Sequence, residues 1–173
     1  MRILLSYFSF TSRVESLARQ IETCLTPRHD VTLTAIRPVR DRSYWHWLLL
    51  SFIPGSSVAI TSPPTDLRSF ERVCLGFPKW TFSCPPVNRY LATLPALNQT
   101  ARFGLFMAFG GFDEDRYLRD FAVRVSRKGR VAATLAVKRS LIEAPECASY
   151  VHRFCELLVE APSPSAALKL DAR

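Results

Sequence analysis

Three hydroxyl side chains stand close together near the start of the chain, at Ser9, Thr11 and Ser12. They lie between a short apolar run typical of a strand and a helical pattern that begins at Val14. The first N–H groups of a helix have no intrahelical partner and carry partial positive charge, so hydroxyls at that point suit a phosphate. Ordinary capping is the alternative, because Ser12 followed by Glu15 matches a capping box. Taken by themselves, these residues favour capping.

Two further loops carry residue types that suit a flat ring. Pro78, Lys79 and Trp80 follow the third predicted strand, and Gly110 and Gly111 follow the fourth. Tryptophan offers an apolar face for stacking, and glycine lets a backbone amide approach a ligand closely. Ligands of open parallel sheets bind outside the carboxyl ends of the strands. Together with the hydroxyl-rich turn, these loops suit a phosphate at one end and a flat heterocycle at the other.

The elements that must position these loops are predicted from the apolar periodicity. The predicted strands cover 2–7, 30–36, 72–77, 103–109 and 131–137. Helical patterns begin at 14, 44, 85, 113 and 145. Regular alternation of strand and helix predicts an α/β sheet with parallel strands and right-handed crossovers. We expect one domain over 1–161 and a flexible C-terminal tail over 162–173.

The crossover segment 37–65 is irregular, rich in proline and aromatic residues, and more apolar than a surface helix requires. Its run from Tyr44 to Ile53 predicts a short helix that ends at Pro54. This helix either packs over the sheet with its aromatics in the core, or forms a hydrophobic lid or a docking face for a partner or membrane through 40–53. In the second case the preceding arginines are expected to contact anionic lipid. The exposure of Trp45 and Trp47 distinguishes the two. The arginines are Arg37, Arg40 and Arg42.

The composition indicates a globular chain with an excess of positive charge. With 173 residues and 48% hydrophobic composition, it is long enough for one full core and too short for two. The formal net charge of +8 favours an acidic partner, an anionic membrane surface or nucleic acid. Nucleic acid is not expected, because the basic run at 127–130 is short and has no interleaved aromatic residues.

The cysteines and histidines show no spacing typical of a metal site. None of the 5 cysteines forms a CxxC pair, so we expect reduced, mostly buried thiols and no zinc or iron. Cys84 is near the second loop in sequence, but no activating base is evident, so a structural thiol is favoured over a redox-active one.

The N-terminal residues are interpreted as a strand and not as a signal peptide. No apolar run reaches the about 20 residues of a membrane-spanning helix, and a cytoplasmic protein is expected.

At this point the sequence resembles the flavodoxin family over nearly the whole predicted domain. The segment SFTSRV at 9–14 resembles the family's S-x-T-G-x-T phosphate loop, and GFPKW at 76–80 resembles its G-S-P-x-W loop. FGG at 109–111 resembles the third loop, whose backbone borders the isoalloxazine ring of FMN. The resemblance implies FMN as cofactor and a flavodoxin-like three-layer sandwich, with a five-stranded parallel sheet in the order 2-1-3-4-5.

The resemblance also implies which residues bind FMN, while no catalytic side chain and no metal ligand is identified. The implied cofactor-binding residues are Ser9, Phe10, Thr11, Ser12, Arg13, Val14, Pro78, Lys79, Trp80, Thr81, Phe82, Phe109, Gly110 and Gly111. Ser12 and Val14 depart from the family pattern, which has Gly and Thr there. Arg13 either compensates by pairing with the phosphate or points to solvent. The segment after Trp80 also lacks the glycine that the family commonly carries.

Two functions follow from these patterns. The first is an FMN-binding oxidoreductase of quinone reductase type, or a dedicated electron-transfer component, which acts on a quinone-like acceptor or an acidic redox partner protein. The flavin performs the electron chemistry, and the protein supplies binding and electrostatics. The alternative is a flavodoxin-like interaction module that has lost FMN and docks an acidic partner or a membrane surface. The departures at Ser12 and Val14 favour this alternative.

Overall fold

Strands and helices alternate along the chain as the apolar pattern predicts. The computed structural model describes residues 1–61, 66–95 and 102–160, and the backbone of 169–171. In chain order the elements are β1 (Arg2–Tyr7), α1 (Arg13–Leu25), β2 (Asp30–Ala35), β3 (Arg37–Pro38), α2 (Tyr44–Ser51), β4 (Ile60–Thr61), β5 (Arg72–Pro78), α3 (Pro85–Thr93), β6 (Arg102–Phe109), α4 (Glu114–Ser126), β7 (Arg130–Lys138), α5 (Cys147–Val159) and β8 (Lys169–Asp171).

The long strands form one parallel sheet in the order β2-β1-β5-β6-β7. Counted along the chain this is 2-1-3-4-5, so the predicted strand order is confirmed. β8 pairs in parallel with β7 at the edge of the sheet, and β3 and β4 form a separate antiparallel pair. The tail predicted over 162–173 lies outside the described residues, apart from the backbone of β8.

Helices cover both faces of the sheet, and its central strands are accordingly mostly apolar, with Ser6 of β1 a buried polar exception. α1 and α5 pack their apolar stripes on one face, and α3 and α4 pack theirs on the other. Gly76 in β5 makes room for the large side chains between these layers. A Cβ atom there would lie 2.2 Å from the Phe106 ring and 2.9 Å from the Tyr7 Cβ.

Helix α2 does not lie across a face of the sheet. It packs against α3 and lies beyond the carboxyl ends of β1 and β5, where its Trp47 contacts Phe8 and Trp80. The segment that follows α2 places Leu67, with the partly buried Ile60 and Phe70, in the apolar layer beside α3 and α4. Because this later segment covers the sheet beside α3 and α4, α2 itself lies at the edge of the sheet.

The exposures of the two tryptophans divide α2 into a buried and an exposed side, and a docking role of the exposed side stays a prediction. Trp47 is 2% exposed and belongs to the interior, whereas Trp45 is 70% exposed. The helix ends at Ser51, slightly before the predicted stop at Pro54. No helix in the described ranges combines the length and the apolar character needed to cross a membrane.

Candidate functional site

The first loop, between β1 and α1, turns through an unusual backbone conformation at Ser12. Ser12 has φ 58° and ψ −4°, in the left-handed region that glycine favours. Its side chain forms no capping hydrogen bond, so the predicted capping box is wrong. A capping side chain requires an extended backbone at the N-cap residue, which Ser12 does not have. Instead the Glu15 N–H donates to the Ser9 Oγ at 3.3 Å.

This conformation leaves polar groups of the first loop available to a ligand. Thr11 and Ser12 are exposed. The backbone N–H groups of Arg13 and Val14 lie in the first turn of α1, where a helix provides no acceptor. The Val14 side chain is buried in the core, so only its backbone faces the loop. Hydroxyls and amides at a helix N-terminus are the groups that bind phosphate.

Arg13 neither points freely to solvent nor lies unpaired at the loop. Its guanidinium forms an ion pair with Glu143, which precedes α5. The Arg13 side chain is 41% exposed and that of Glu143 is 69% exposed. Exposed pairs of this kind contribute about 0–1 kcal/mol, so a phosphate dianion can compete with Glu143 for the arginine. The sequence contains no local signal for this pairing, because the two residues are far apart in the chain.

The second loop, after β5, places Trp80 in a cluster of aromatic rings. Trp80 stacks on Trp47 at a centroid distance of 6.0 Å, with 25° between the ring planes. The edges of Phe8 and Phe10 lie against it at 5.7 and 6.3 Å. Trp80 is partly buried, so it combines a rigid setting with an accessible part. A partly exposed tryptophan held in this way can stack on a flat ring.

Hydrogen bonds tie the second loop to α2. The hydroxyls of Thr81 and Ser51 share a hydrogen bond of 2.6 Å, and the Phe82 N–H donates to the Ser51 carbonyl at 2.9 Å. The Phe82 ring is 64% exposed. The position of the loop therefore depends on the helix that sequence analysis assigned to the crossover segment.

The third loop follows β6 and contains two glycines. Gly111 faces open space, whereas Gly110 lies against the Arg139 side chain. A Cβ atom at Gly111 would meet nothing within 4 Å, whereas one at Gly110 would lie 2.4 Å from the Arg139 Nε. The Arg139 N–H donates to the Phe109 carbonyl at 2.7 Å. The Phe109 side chain is buried, so only its backbone is available to a ligand. An open glycine allows close approach of a ring to the backbone.

Lys79 connects the second and third loops. Its backbone N–H donates to the Ala108 carbonyl at 2.9 Å, and its ammonium donates to the Phe112 carbonyl. The ammonium also lies 5.8 Å from the centroid of the Phe112 ring, which is 86% exposed. Pro78, the last residue of β5, pairs with Ala108 in the sheet. The second and third loops thus form one edge of the candidate site.

The strand order brings the three loops together. β1, β5 and β6 are neighbours in the sheet and run parallel, so their carboxyl ends meet at one edge. The chain moves outward from β1 to β2 and then returns to β5 on the other side of β1, which makes this edge a topological switch point. All the residues predicted to bind the cofactor belong to these three loops or to the strand and helix ends beside them.

Four residues that border the candidate site were not predicted from the sequence. Phe8 and Trp47 belong to the aromatic cluster around Trp80. Phe112 and Arg139 accompany the third loop and Lys79. The aromatic run of α2 was a signal for Trp47, but its packing partner was unknown. Arg139 follows a different strand, and only the tertiary structure shows that it faces Gly110.

Burial keeps the thiol nearest to the second loop protonated. Cys84 is completely buried, and the loss of hydration raises its pKa to about 12. The thiolate is the nucleophilic and redox-active form, so this environment favours the structural interpretation of Cys84. Within the residues that the structure describes, no group of three or more His, Cys, Asp or Glu side chains is arranged to hold a metal ion.

A separate groove of about 810 Å³ lies between α1 and α5. It is lined by the outer side of α1, including Arg19 and Gln20, and by His152 of α5. Ser12 of the first loop and Glu15 in the first turn of α1 border it, but no residue of the second or third loop does. We therefore do not assign this groove to the candidate site.

Comparison with solved structures identifies the fold of the protein. Flavodoxin 2 from Bacillus cereus superposes with a TM-score of 0.66 and 16% identity, over 91% of this chain and 97% of that one. The two-electron reduced flavodoxin of Megasphaera elsdenii superposes with a TM-score of 0.60 and 20% identity, over 89% and 98%. A flavodoxin from the domain Archaea gives a TM-score of 0.56 and 14% identity, over 91% and 99%. The protein has the flavodoxin-like fold.

A sequence relative defines its family more narrowly. A protein of Archaeoglobus fulgidus, described as uncharacterized, is 36% identical over 146 residues, which cover 82% of this chain and 90% of the relative. The chain belongs to the same family as that archaeal protein. No protein-family model matches the sequence.

Proposed function

We propose that this protein binds FMN and works as a flavodoxin-like oxidoreductase or electron-transfer component. The observation that carries the proposal is the meeting of three loops at the switch point of the sheet. One end of this edge offers the hydroxyls of Thr11 and Ser12 beside free helix amides, and the other offers Trp80 and the open Gly111. A phosphate and a flat ring are thereby matched by a single constellation.

In this proposal each loop has a separate role. Ser9 braces the first turn of α1 through its bond with the Glu15 N–H, and Thr11 and Ser12 hold the phosphate with the amides behind them. FMN, when bound, supplies the electron chemistry. Lys79 and Arg139 place positive charge at the ring end, which favours negative charge on a bound group.

The proposed acceptor is a quinone-like molecule or an acidic redox partner protein. The formal net charge of +8 supports an acidic or otherwise anionic partner.

We further propose a cytoplasmic location. The cysteines at 24, 74, 84, 147 and 155 are all free thiols, which suits a reducing compartment.

A second candidate function is an interaction module that keeps the fold without FMN. The ion pair between Arg13 and Glu143 favours it, because the cation at the start of α1 that would otherwise be available to a phosphate already has a partner. Val14 in place of a threonine also removes one hydroxyl from the family pattern. Measured flavin affinity separates the two functions directly.

The test is a calorimetric titration of the protein with FMN and with riboflavin, which lacks the phosphate. Thr11→Val removes a hydroxyl with little change in shape, and we expect it to weaken FMN binding about tenfold while riboflavin binding stays unchanged. Trp80→Ala removes the stacking surface, and we expect it to weaken both ligands by about 1–3 kcal/mol, by analogy with base stacking on aromatic side chains.

Matched controls for these variants lie elsewhere on the surface. Thr23→Val on the outer side of α1 and Trp45→Ala on the exposed side of α2 should leave both affinities unchanged. If the wild-type protein binds neither flavin at micromolar concentration, the proposal fails and the interaction module is supported. If FMN binds but Thr11→Val and Trp80→Ala have no effect, the cofactor lies at a different site.

A further inference from the structure

The exposed large apolar side chains of this protein are concentrated at one end. All of them in the described ranges except Val123 lie on the three loops of the candidate site or on the segment 39–53 around α2. They are Phe10, Val39, Tyr44, Trp45, Leu49, Phe52, Ile53, Phe82 and Phe112. We call these residues the apolar end surface. Isolated exposed apolar residues are common, but such clustering marks an interaction site.

Ring contacts join five residues of the apolar end surface into two groups, one at each end of α2. Phe10 lies 6.1 Å from Tyr44, which lies 5.6 Å from Trp45, measured between ring centroids. At the other end of α2, Phe52 lies 6.2 Å from Phe82. The apolar end surface therefore extends from the first loop along α2 to the second loop.

Helix α2 is mostly apolar, with His46 and Ser51 as its polar residues, but it is buried on one side only. Trp47 and Ser51 face the interior, while Trp45 and Leu49 are 70% and 68% exposed. A helix of this composition is normally buried in a core or in a membrane. The apolar residues on its outer side are therefore exposed, although the composition of the helix predicts that they are buried.

The charges on and before α2 are mostly positive, with Asp41 among them, whereas Asp113 lies beside Phe112 at the third loop. No Asp or Glu occurs between Asp41 and Asp66, a stretch that contains all of α2. Exposed Arg37 and Arg40 precede the helix, and Arg40 borders a groove of about 330 Å³ with the apolar Val39. An apolar surface with a cationic border complements an anionic lipid bilayer.

We propose that the apolar end surface docks this protein on an anionic membrane surface. Trp45 and Tyr44 are the side chains that favour the boundary between headgroups and acyl chains, because their rings are apolar with one polar atom. The arginines add attraction to anionic headgroups. Protein interfaces also cover aromatic rings and arginines, so the vesicle experiment below is what separates a membrane from a protein partner. The three loops of the candidate site lie on the same end, so docking turns that site toward the bilayer.

The experiment measures co-sedimentation of the full chain with vesicles of phosphatidylcholine, alone or mixed with phosphatidylglycerol. We expect binding to the mixed vesicles, weakened by salt, with a blue shift of tryptophan fluorescence. The double variant Trp45→Ala, Leu49→Ala should bind at least about tenfold more weakly, because two inserted side chains are lost. Arg37→Gln and Arg40→Gln should each reduce binding by about fivefold at low salt.

The matched control places the same kinds of change on α4. Arg119 and Val123 are exposed there, one turn apart, and Arg119→Gln with Val123→Ser should leave vesicle binding unchanged. All substituted side chains are exposed, so circular dichroism should show the same fold throughout.

Three results would overturn the docking proposal. The first is the absence of binding to either type of vesicle. The second is binding that the arginine variants abolish but Trp45→Ala, Leu49→Ala leaves intact, since charge alone then explains it. The third is a dimer in light scattering that this double variant dissociates without any vesicle binding, which assigns the surface to a second copy of the chain. Vesicle binding is measured without added FMN, so its outcome is independent of the proposed cofactor.

Discussion

At the scale of single residues, Ser12 shows that the first loop keeps a glycine-like turn without a glycine. The resemblance to flavodoxins placed Gly at this position, and the structure gives the serine the left-handed conformation that glycine adopts most easily. A residue with a Cβ atom in this region costs about 1–2 kcal/mol. The substitution therefore costs stability but does not prevent the loop from taking its shape.

We predict that Ser12→Gly raises the free energy of unfolding by about 0.5–1 kcal/mol, because relief of the strained φ exceeds the entropy that glycine loses on folding. Urea denaturation followed by circular dichroism measures this change. Ser16→Gly, inside α1, is the control and should lower the free energy of unfolding by about 0.5 kcal/mol. A destabilised Ser12→Gly protein would contradict the left-handed conformation.

At the scale of elements, α2 has two roles that its sequence does not separate. Its inner side supports the second loop through the stack of Trp47 on Trp80 and the hydrogen bond between Ser51 and Thr81. Its outer side presents Trp45 and Leu49. The helix thus links the position of Trp80 in the candidate site to the surface proposed to dock on a membrane.

The two tryptophans of α2 should respond very differently to truncation. Trp47→Ala removes a side chain that is 2% exposed and should lower the free energy of unfolding by about 3–5 kcal/mol. Trp45→Ala removes a largely exposed ring and should change it by no more than about 0.5 kcal/mol. Urea titration of both variants provides the comparison, with each serving as the reference for the other. Equal effects would show that the helix is not oriented as described.

At the scale of the whole molecule, the candidate site exists only because of the strand order. Its loops follow β1, β5 and β6, which are distant in the chain and adjacent in the sheet. The groove of about 810 Å³ between α1 and α5 lies beside only the first of these loops. A ligand bound at the switch point therefore contacts three loops at once, and a ligand in the groove does not.

Hydrogen exchange with and without FMN distinguishes these locations. Some amides exchange only when the site opens. At an FMN concentration 100 times Kd, the exchange rate of these amides should fall by up to about 100-fold, which corresponds to a stabilisation of about 2.7 kcal/mol. We expect this protection in all three loops, at 9–14, 79–83 and 110–112. Amides of α5 around His152, beside the groove, serve as the internal control. Protection of that helix with unprotected loops would place FMN in the groove.

The sequence by itself determined the positions of the long strands and the helices, and which three loops carry the candidate site residues. Strand and helix periodicities depend on local burial of alternate or helical faces, so the long strands and most helix starts were predicted within a few residues. The resemblance added the strand order and the assignment of a phosphate end and a ring end, and the strand order is confirmed. The FMN-binding roles of the individual residues remain predictions.

The tertiary structure decided what each loop is held by and what remains exposed. The conformation of Ser12, the pairing of Arg13 with Glu143 and the placement of Arg139 against Gly110 depend on contacts between segments far apart in the chain. The division of α2 into a buried and an exposed side has the same origin. The few polar residues of α2 do not mark one face as the outer one, and Ser51 is in fact buried, so only the neighbours of the helix in space determine which side is covered.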